Sequence, residues 1–274
     1  MKKEKPWNYR AANSVHGLFS SLPKTTIRRI GKEVSRLGPR LGLTYIDDNE
    51  KTVNITLTLR PRLLQAKHRN ALWKIIHTLD GAFQKVSELY RKHPSLERLF
   101  PFSPAESGWI SLMREPGYHP GRMISRWDAN TTFGEEDWKN GWSFFEVNGV
   151  GVGGLWYGPA CAEVTLKIIA PELKRLDARF RPLTGHDMRR LLLEALLDQR
   201  KKLGIKGGVL ALAMEKASGS NYVEFERLAR FFTELGHPSL VTEPTDFILR
   251  NNEIRARGKK IDIIYRDTTL SELL

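Results

Sequence analysis

The chain has 274 residues with 41% hydrophobic and 27% charged content, a net charge of +13 and a single cysteine, Cys161. That composition suits a folded protein with a sizeable core, as one large domain or two modest ones. It excludes an intrachain disulfide and a structural zinc site built from several cysteines. The opening MKKEKPWNYR lacks the apolar stretch of a signal peptide, and no apolar run nears the roughly 20 residues that span a bilayer. The expected location is cytoplasmic, with no membrane partner.

The charge is unevenly spread. Residues 1–100 hold 20 lysines and arginines against 8 acidic residues, whereas the remainder hold 24 against 23. A basic segment of this kind suits nucleic acid, an acidic partner or anionic lipid, or forms solvated helix faces. It lacks the aromatic interleaving that single-strand binders use.

In chain order, residues 1–24 read as an irregular lead-in. Thr25 to Leu37 predicts a basic helix with Ile27, Ile30, Val34 and Leu37 on one face, stopped by Gly38 and Pro39. Leu43 to Ile46 and Thr52 to Leu59 predict a hairpin across Asp47, Asp48 and Asn49. Pro61 opens a long helix to about Lys92, with an apolar stripe from Leu64 to Tyr90; His68 and His77 on it read as surface or packing residues. Ser95 to Ser107 is a connector and marks the first boundary.

Arg122 to Asp128 and Trp142 to Asn148 read as two strands separated by turn residues Asn130, Gly134, Asn140 and Gly141. Side chains alternate faces on a strand, so Arg126 shares a face with Asp128, and Glu146 with Asn148. Paired as a hairpin, they bring one guanidinium, two carboxylates and an amide together. Such oxygens suit a hard cation like Mg²⁺, which completes its shell with water and phosphate. The arginine is placed to hold a phosphate or carboxylate. Gly149, Gly151, Gly153 and Gly154 then let backbone approach a charged ligand. The bland alternative is a set of ordinary ion pairs on an exposed sheet face.

Leu155 to Pro159 leads into a helix interrupted at Pro171, and Glu172 to Phe180 continues as helix or loop. Cys161 reads as a small buried side chain. Asp187 to Leu203 predicts a helix with Thr184 as N-cap, Asp187 in the first turn and Arg200, Lys201 and Lys202 in the last. Beyond it the pattern alternates: a buried strand Gly208 to Met214, a helix Glu224 to Leu235, a strand Ser239 to Thr242, a hairpin of Asp246–Arg250 with Glu253–Ala256, and a buried strand Ile261 to Tyr265 ending in Arg266 and Asp267. Ligands of open α/β sheets bind beyond the carboxyl ends of the strands. That nominates Glu215 to Asn221 and Tyr265 to Asp267 as an edge.

SRWD, then FEVNGVGVGG, then a helical stretch and a final KKIDIIYRD, resembles the circularly permuted ATP-grasp proteins, the group of glutathionylspermidine-synthase-like ligases, over about residues 52 to 267. The resemblance implies an α/β (α+β) fold: an ATP-grasp-like antiparallel sheet piece with helices, plus a smaller Rossmann-like parallel-sheet (pre-ATP-grasp) domain. The divisions expected are a basic helical region with a hairpin (1–100), a metal- and nucleotide-binding piece (101–205) and an α/β half-domain (206–274). It implies an ATP- and Mg²⁺-dependent, ADP-forming ligase that joins a small-molecule or peptide carboxylate to an amine through an acyl phosphate. Asp128, Glu146 and Asn148 would be the Mg²⁺ ligands, Arg126 a catalytic phosphate or acyl-phosphate contact, and Gly149, Gly151, Gly153 and Gly154 the cofactor-side loop. The roles of Asp262 and Arg266 stay open. Family members continue past the D-x-x-Y-R strand, whereas this chain ends at Leu274. The expectation is that the C-terminal part of the grasp is lacking: the chain is a fragment, a partner chain completes it, or it is a degenerate member.

No nucleophile elbow is present. Gly149-x-Gly151-x-x-Gly154, with Glu172 beyond it, matches a dinucleotide fingerprint, but LWYGP follows where a helix should start. The remaining alternative is a non-enzymatic nucleic-acid- or protein-binding module using the basic first third.

Overall fold

The computed structural model describes residues 10–47, 49–62, 64–100, 102–112, 124–131, 137–177, 185–215 and 221–269, without the side chains of 10–14, 87, 91 and 97. The architecture is α+β. Its elements are α1 (Arg10–Ser20), α2 (Lys24–Arg40), β1 (Thr44–Ile46), β2 (Thr52–Asn54), α3 (Ala66–Lys92), α4 (Pro104–Ser111), β3 (Arg126–Asn130), β4 (Ser143–Asn148), α5 (Tyr157–Val164), α6 (Ala170–Leu176), α7 (Met188–Lys202), β5 (Val209–Ala213), α8 (Tyr222–Glu234), β6 (Ser239–Thr242), β7 (Ile248–Arg250), β8 (Glu253–Ala256) and β9 (Lys259–Arg266). No helix among the described residues is long and apolar enough to cross a membrane.

Several boundaries differ from the sequence expectation, each for a physical reason. Part of the supposed irregular lead-in is α1, because Val15, Leu18 and Phe19 pack into one core with Ile30 and Val34 of α2. The α2 helix runs through Pro39 to Arg40: Gly38 has no Cβ for the proline ring to strike, and the helix ends at Gly42, at φ +76°. The hairpin pairs only Thr44–Ile46 with Thr52–Asn54. Ile55 still donates its N–H to the Leu43 carbonyl at 3.0 Å, but beyond it the facing chain leads back into α2, so Leu57 and Leu59 follow Ile55 into the core without a ladder. The α3 helix starts at Ala66, not Pro61. Within the expected connector, Ser103 and Glu106 form a capping box that starts α4. Pro171 does not break its helix: a π-helical turn, Thr165–Ile169, takes up the missing N–H and α6 continues. Asp187 is the N-cap of α7, accepting from the Arg189 N–H. Thr184, Arg122 and most of the Glu215–Asn221 loop lie outside the described residues.

The five-stranded sheet has the order β6-β5-β9-β8-β7. Its β6, β5 and β9 are parallel, and β9, β8 and β7 run antiparallel. Leu210 and Leu212 of β5 and Met214 just beyond it face α7 and α8, where Leu192, Leu196, Phe225, Leu228 and Phe232 bury. Ala211 faces the other way, with Ala256 and Ile261. The parity of β9 changes at Asp262: Val209 opposes Ile261 but Leu210 opposes Ile263, leaving Asp262 as the extra residue of a bulge. That is why Ile261 and Ile263 serve opposite faces. A second core joins α1, α2 and the 55–59 segment to α5, the π turn and α6 through Val164, Ile169 and Leu173.

Candidate functional site

The β3–β4 hairpin has one face anchored and one free. Trp127 donates its indole N–H to Asp80 Oδ1 of α3 at 3.1 Å and stacks edge-on against Phe83 and Phe144. Alternation then sends Arg126 and Asp128 to the opposite face. Asp128 lies directly across the ladder from Glu146, and Arg126 across from Asn148, so the four side chains share that face. Past this point the ladder shifts: Ala129 opposes Phe144 and leaves Phe145 as a bulge residue, 67% exposed. The bulge moves Phe144 off the Glu146 face and into contact with Trp127. Bulges recur beside sites where a side chain has to be re-aimed.

Arg126 holds both Asp128 oxygens, through Nε to Oδ1 at 3.0 Å and NH2 to Oδ2 at 3.2 Å. Asn148 donates from Nδ2 to Asp128 Oδ2 at 3.4 Å. The guanidinium keeps the Asp128 carboxyl below its usual range, and Asp128 raises Arg126 in return. Glu146 is exposed and adds to the field at Arg126. The remaining guanidinium nitrogen, NH1, donates to the Gly153 carbonyl at 3.1 Å, which ties the hairpin to the glycine loop.

That loop rests on the carboxyl edge of the parallel strands. The Asp267 N–H donates to the carbonyl of Ala213, the last residue of β5, at 2.8 Å, and Asn221 Nδ2 donates to Asp267 Oδ2 at 2.9 Å. A Cβ on Gly151, whose φ is +64°, would sit 2.3 Å from Asp267 Oδ1, and one on Gly153 would meet Asn221 Oδ1 at 3.2 Å. The loop lies flat on that edge, so Gly151 has no room for a side chain and one at Gly153 would push Asn221 aside. Gly154 has φ +94° with open space beside it.

The residue that sequence reasoning missed is Glu224. It is 2% exposed, and its carboxylate accepts backbone N–H bonds from Gly154 at 3.0 Å, from Trp156, and from Tyr157 at 3.4 Å. Burial raises its pKa despite those donors. A buried carboxylate on three amides fixes the loop's exit into α5. Its sequence signal, an acid in the first turn of α8, looks like any dipole-complementing residue. Trp156 and Tyr157 also reach back, donating to the Leu41 carbonyl at 2.8 Å and the Thr44 carbonyl at 2.9 Å.

The structure thus brings Arg126, Asp128, Glu146, Asn148 and the glycine loop together with Asn221, Asp267 and Glu224. Asp262 is elsewhere: its side chain is fully enclosed beneath Gly208, with Arg200 at 3.6 Å. Arg266 is exposed and donates to the Thr268 carbonyl. Buried His68 packs edge-on against Trp138. As for the dinucleotide fingerprint, β4 is antiparallel to β3 and α5 begins only at Tyr157, so the glycines do not form a parallel strand–turn–helix.

No protein-family model matches the chain, and no curated protein matches it. Among solved structures it is similar to a glutathione synthetase-like effector from Globodera pallida in its apo form. The TM-score is 0.70 at 11% identity, covering 92% of this chain and 59% of that one. The chain therefore spans somewhat over half the effector's length, and at this identity the likeness is one of fold.

Proposed function

We propose that the chain is an ATP-grasp-like, ATP- and Mg²⁺-dependent ligase that joins a carboxylate to an amine. The observation that carries this reading is the register that sets Asp128 against Glu146, with Asn148 and Arg126 on the same face. The glutathione synthetase-like fold supports it at the level of architecture.

Asp128, Glu146 and Asn148 would hold the magnesium. The donor chemistry fits: two carboxylates and an amide oxygen, with waters and phosphates for the rest of the shell. Among the described residues no group of three His, Cys, Asp or Glu side chains could hold a metal alone, so nucleotide and cation would bind together. A hard cation prefers the Asn148 oxygen, and a half-turn of the amide exchanges it for the nitrogen that now faces Asp128. The bound nucleotide–magnesium pair supplies the transferable phosphoryl group. The chain's residues do the positioning. Arg126 swings from Asp128 to a phosphate or carboxylate oxygen and offers it a fork of donors. Gly149, Gly151, Gly153 and Gly154 line the cofactor or acceptor side, held by Glu224. Membership of the circularly permuted branch, the three divisions at 1–100, 101–205 and 206–274, the cytoplasmic location and a partner chain completing the grasp belong to the same proposal.

Calorimetric titration with ATP tests it. Binding that appears with Mg²⁺ and vanishes with chelator supports the reading, whereas equal heats with and without the cation contradict it.

One observation favours the second reading, a nucleic-acid-binding module. Arg28, Lys32, Arg36 and Arg40 follow one another four residues apart along α2, all exposed, and among the described residues none is ion-paired. Under this reading duplex DNA binds with a strong inverse dependence on salt. Binding that survives neutralisation of those four residues rules it out.

A further inference from the structure

Away from the Asp128 site lies a cavity of about 780 Å³, within the roughly 300–1,000 Å³ of small-molecule sites. It shares no lining residue with that site. One wall is the extended chain after β2 together with the start of α3. It contributes Arg60, Arg62 and Arg69. The facing wall is α5 and the π turn, contributing Cys161, Leu166 and Ile169.

Three features single this cavity out. No acidic side chain lines it, and among the described residues none of the three arginines has a carboxylate partner; Arg60 contacts His16 and Arg69 contacts Asn70. Clustered guanidiniums repel one another, and ordinary surfaces intersperse the two signs. Second, the 27-residue helix α3 opens onto the cavity at Gln65 and Ala66 with no side-chain cap and no acid in its first turn. The positive end of its dipole adds to the potential of the same wall. Third, the opposite wall is built on a π-helical turn, a local distortion that is frequent at functional sites, and it is apolar.

We infer that this cavity is a second binding site, for a small organic anion: a carboxylate or phosphate held by Arg60, Arg62 and Arg69, carried on an apolar body that lies against Leu166 and Ile169. The partly enclosed shape fits a free small molecule, not a membrane surface. The inference does not depend on the ligase reading, since it uses none of that site's residues.

Cys161 is the chain's only cysteine and lines the cavity, so it reports on occupancy directly. The rate of its alkylation by N-ethylmaleimide, followed by mass spectrometry on the full chain, is measured with octanoate, octyl phosphate, octanol or phosphatidylserine vesicles. The expected result is saturable protection by octanoate or octyl phosphate and none by octanol. In an Arg60→Gln/Arg62→Gln variant the same protection needs at least about tenfold more ligand, the loss of one charge-assisted hydrogen bond. Both substitutions are at exposed positions, and circular dichroism checks that the fold is retained. Four outcomes overturn the inference: no protection by either free anion at millimolar concentration, equal protection by octanol, protection by vesicles alone, or undiminished protection in the double variant.

Discussion

The Glu224 carboxylate, on α8, accepts the backbone N–H of Gly154, 70 residues earlier in the chain, at 3.0 Å. With Trp156 and Tyr157 it closes three amides of one short segment onto a single buried side chain. The exit of the glycine loop is therefore held from two sides: Arg126 grips the Gly153 carbonyl from the hairpin, and Glu224 grips the next residue from the α/β half. Replacing Glu224 with alanine leaves those amides without their acceptor. At about 1–3 kcal/mol for each buried unpaired group, the loss is several kcal/mol, read as a lower urea midpoint, and nucleotide affinity falls with it.

Glu224 also gives a pH signature. Its carboxyl is raised by burial, so the folded chain holds that proton more tightly than the unfolded chain. Its contribution to stability is full below the ordinary glutamate pKa and is lost as pH rises through the raised value. Urea midpoints measured across that window fall with rising pH in the parent relative to Glu224→Gln. A difference that grows in the opposite direction contradicts the assignment.

Gly151 and Gly31 form a contrasting pair. Gly151 has φ +64° and no room for a Cβ beside Asp267, whereas Gly31 lies within α2 with open space around it. Gly151→Ala is expected to cost at least about 1–2 kcal/mol and to weaken nucleotide binding through displacement of the loop. Gly31→Ala is expected to stabilise by about 0.5–1 kcal/mol and leave binding unchanged. Thermal midpoints and ATP titrations of the two variants separate these effects.

Arg200 and Asp262 test a structural role. Asp262 is the bulge residue of β9, its side chain enclosed, with Arg200 as its ion-pair partner at 3.6 Å and neither oxygen hydrogen-bonded among the described residues. Arg200→Met strands a buried charge and is expected to cost about 3–5 kcal/mol, with ATP affinity unchanged for the fraction that folds. A selective loss of ATP binding at unchanged stability instead places Asp262 in the site.

The sequence shows the hairpin because alternation in RWD and FEVN is local and the pairing follows from it. It shows the buried strand Val209–Ala213 because an apolar run is local too. The bulge at Phe145 is not legible: strict alternation puts Phe144 with Glu146, and only packing against Trp127 decides otherwise. Helix α1 is legible in principle, since Val15, Leu18 and Phe19 follow helical spacing, but the polar residues around them weaken the pattern. Thr184 and Asp187 are both capping residue types, so the sequence alone does not choose between them. Glu224 could not be found this way, because its partners are backbone amides, which leave no residue type in the sequence.

The central claim is that Asp128, Glu146 and Asn148 bind a divalent cation together with a nucleotide. Mn²⁺, which also takes carboxylate and water ligands, is titrated into the chain with a non-hydrolysable ATP analogue, and free Mn²⁺ is read by electron paramagnetic resonance. The account predicts nucleotide-dependent Mn²⁺ binding in the parent, weakened at least about tenfold, or about 1.4 kcal/mol, in both Asp128→Asn and Glu146→Gln. Equal Mn²⁺ affinity in the parent and the two variants would contradict it.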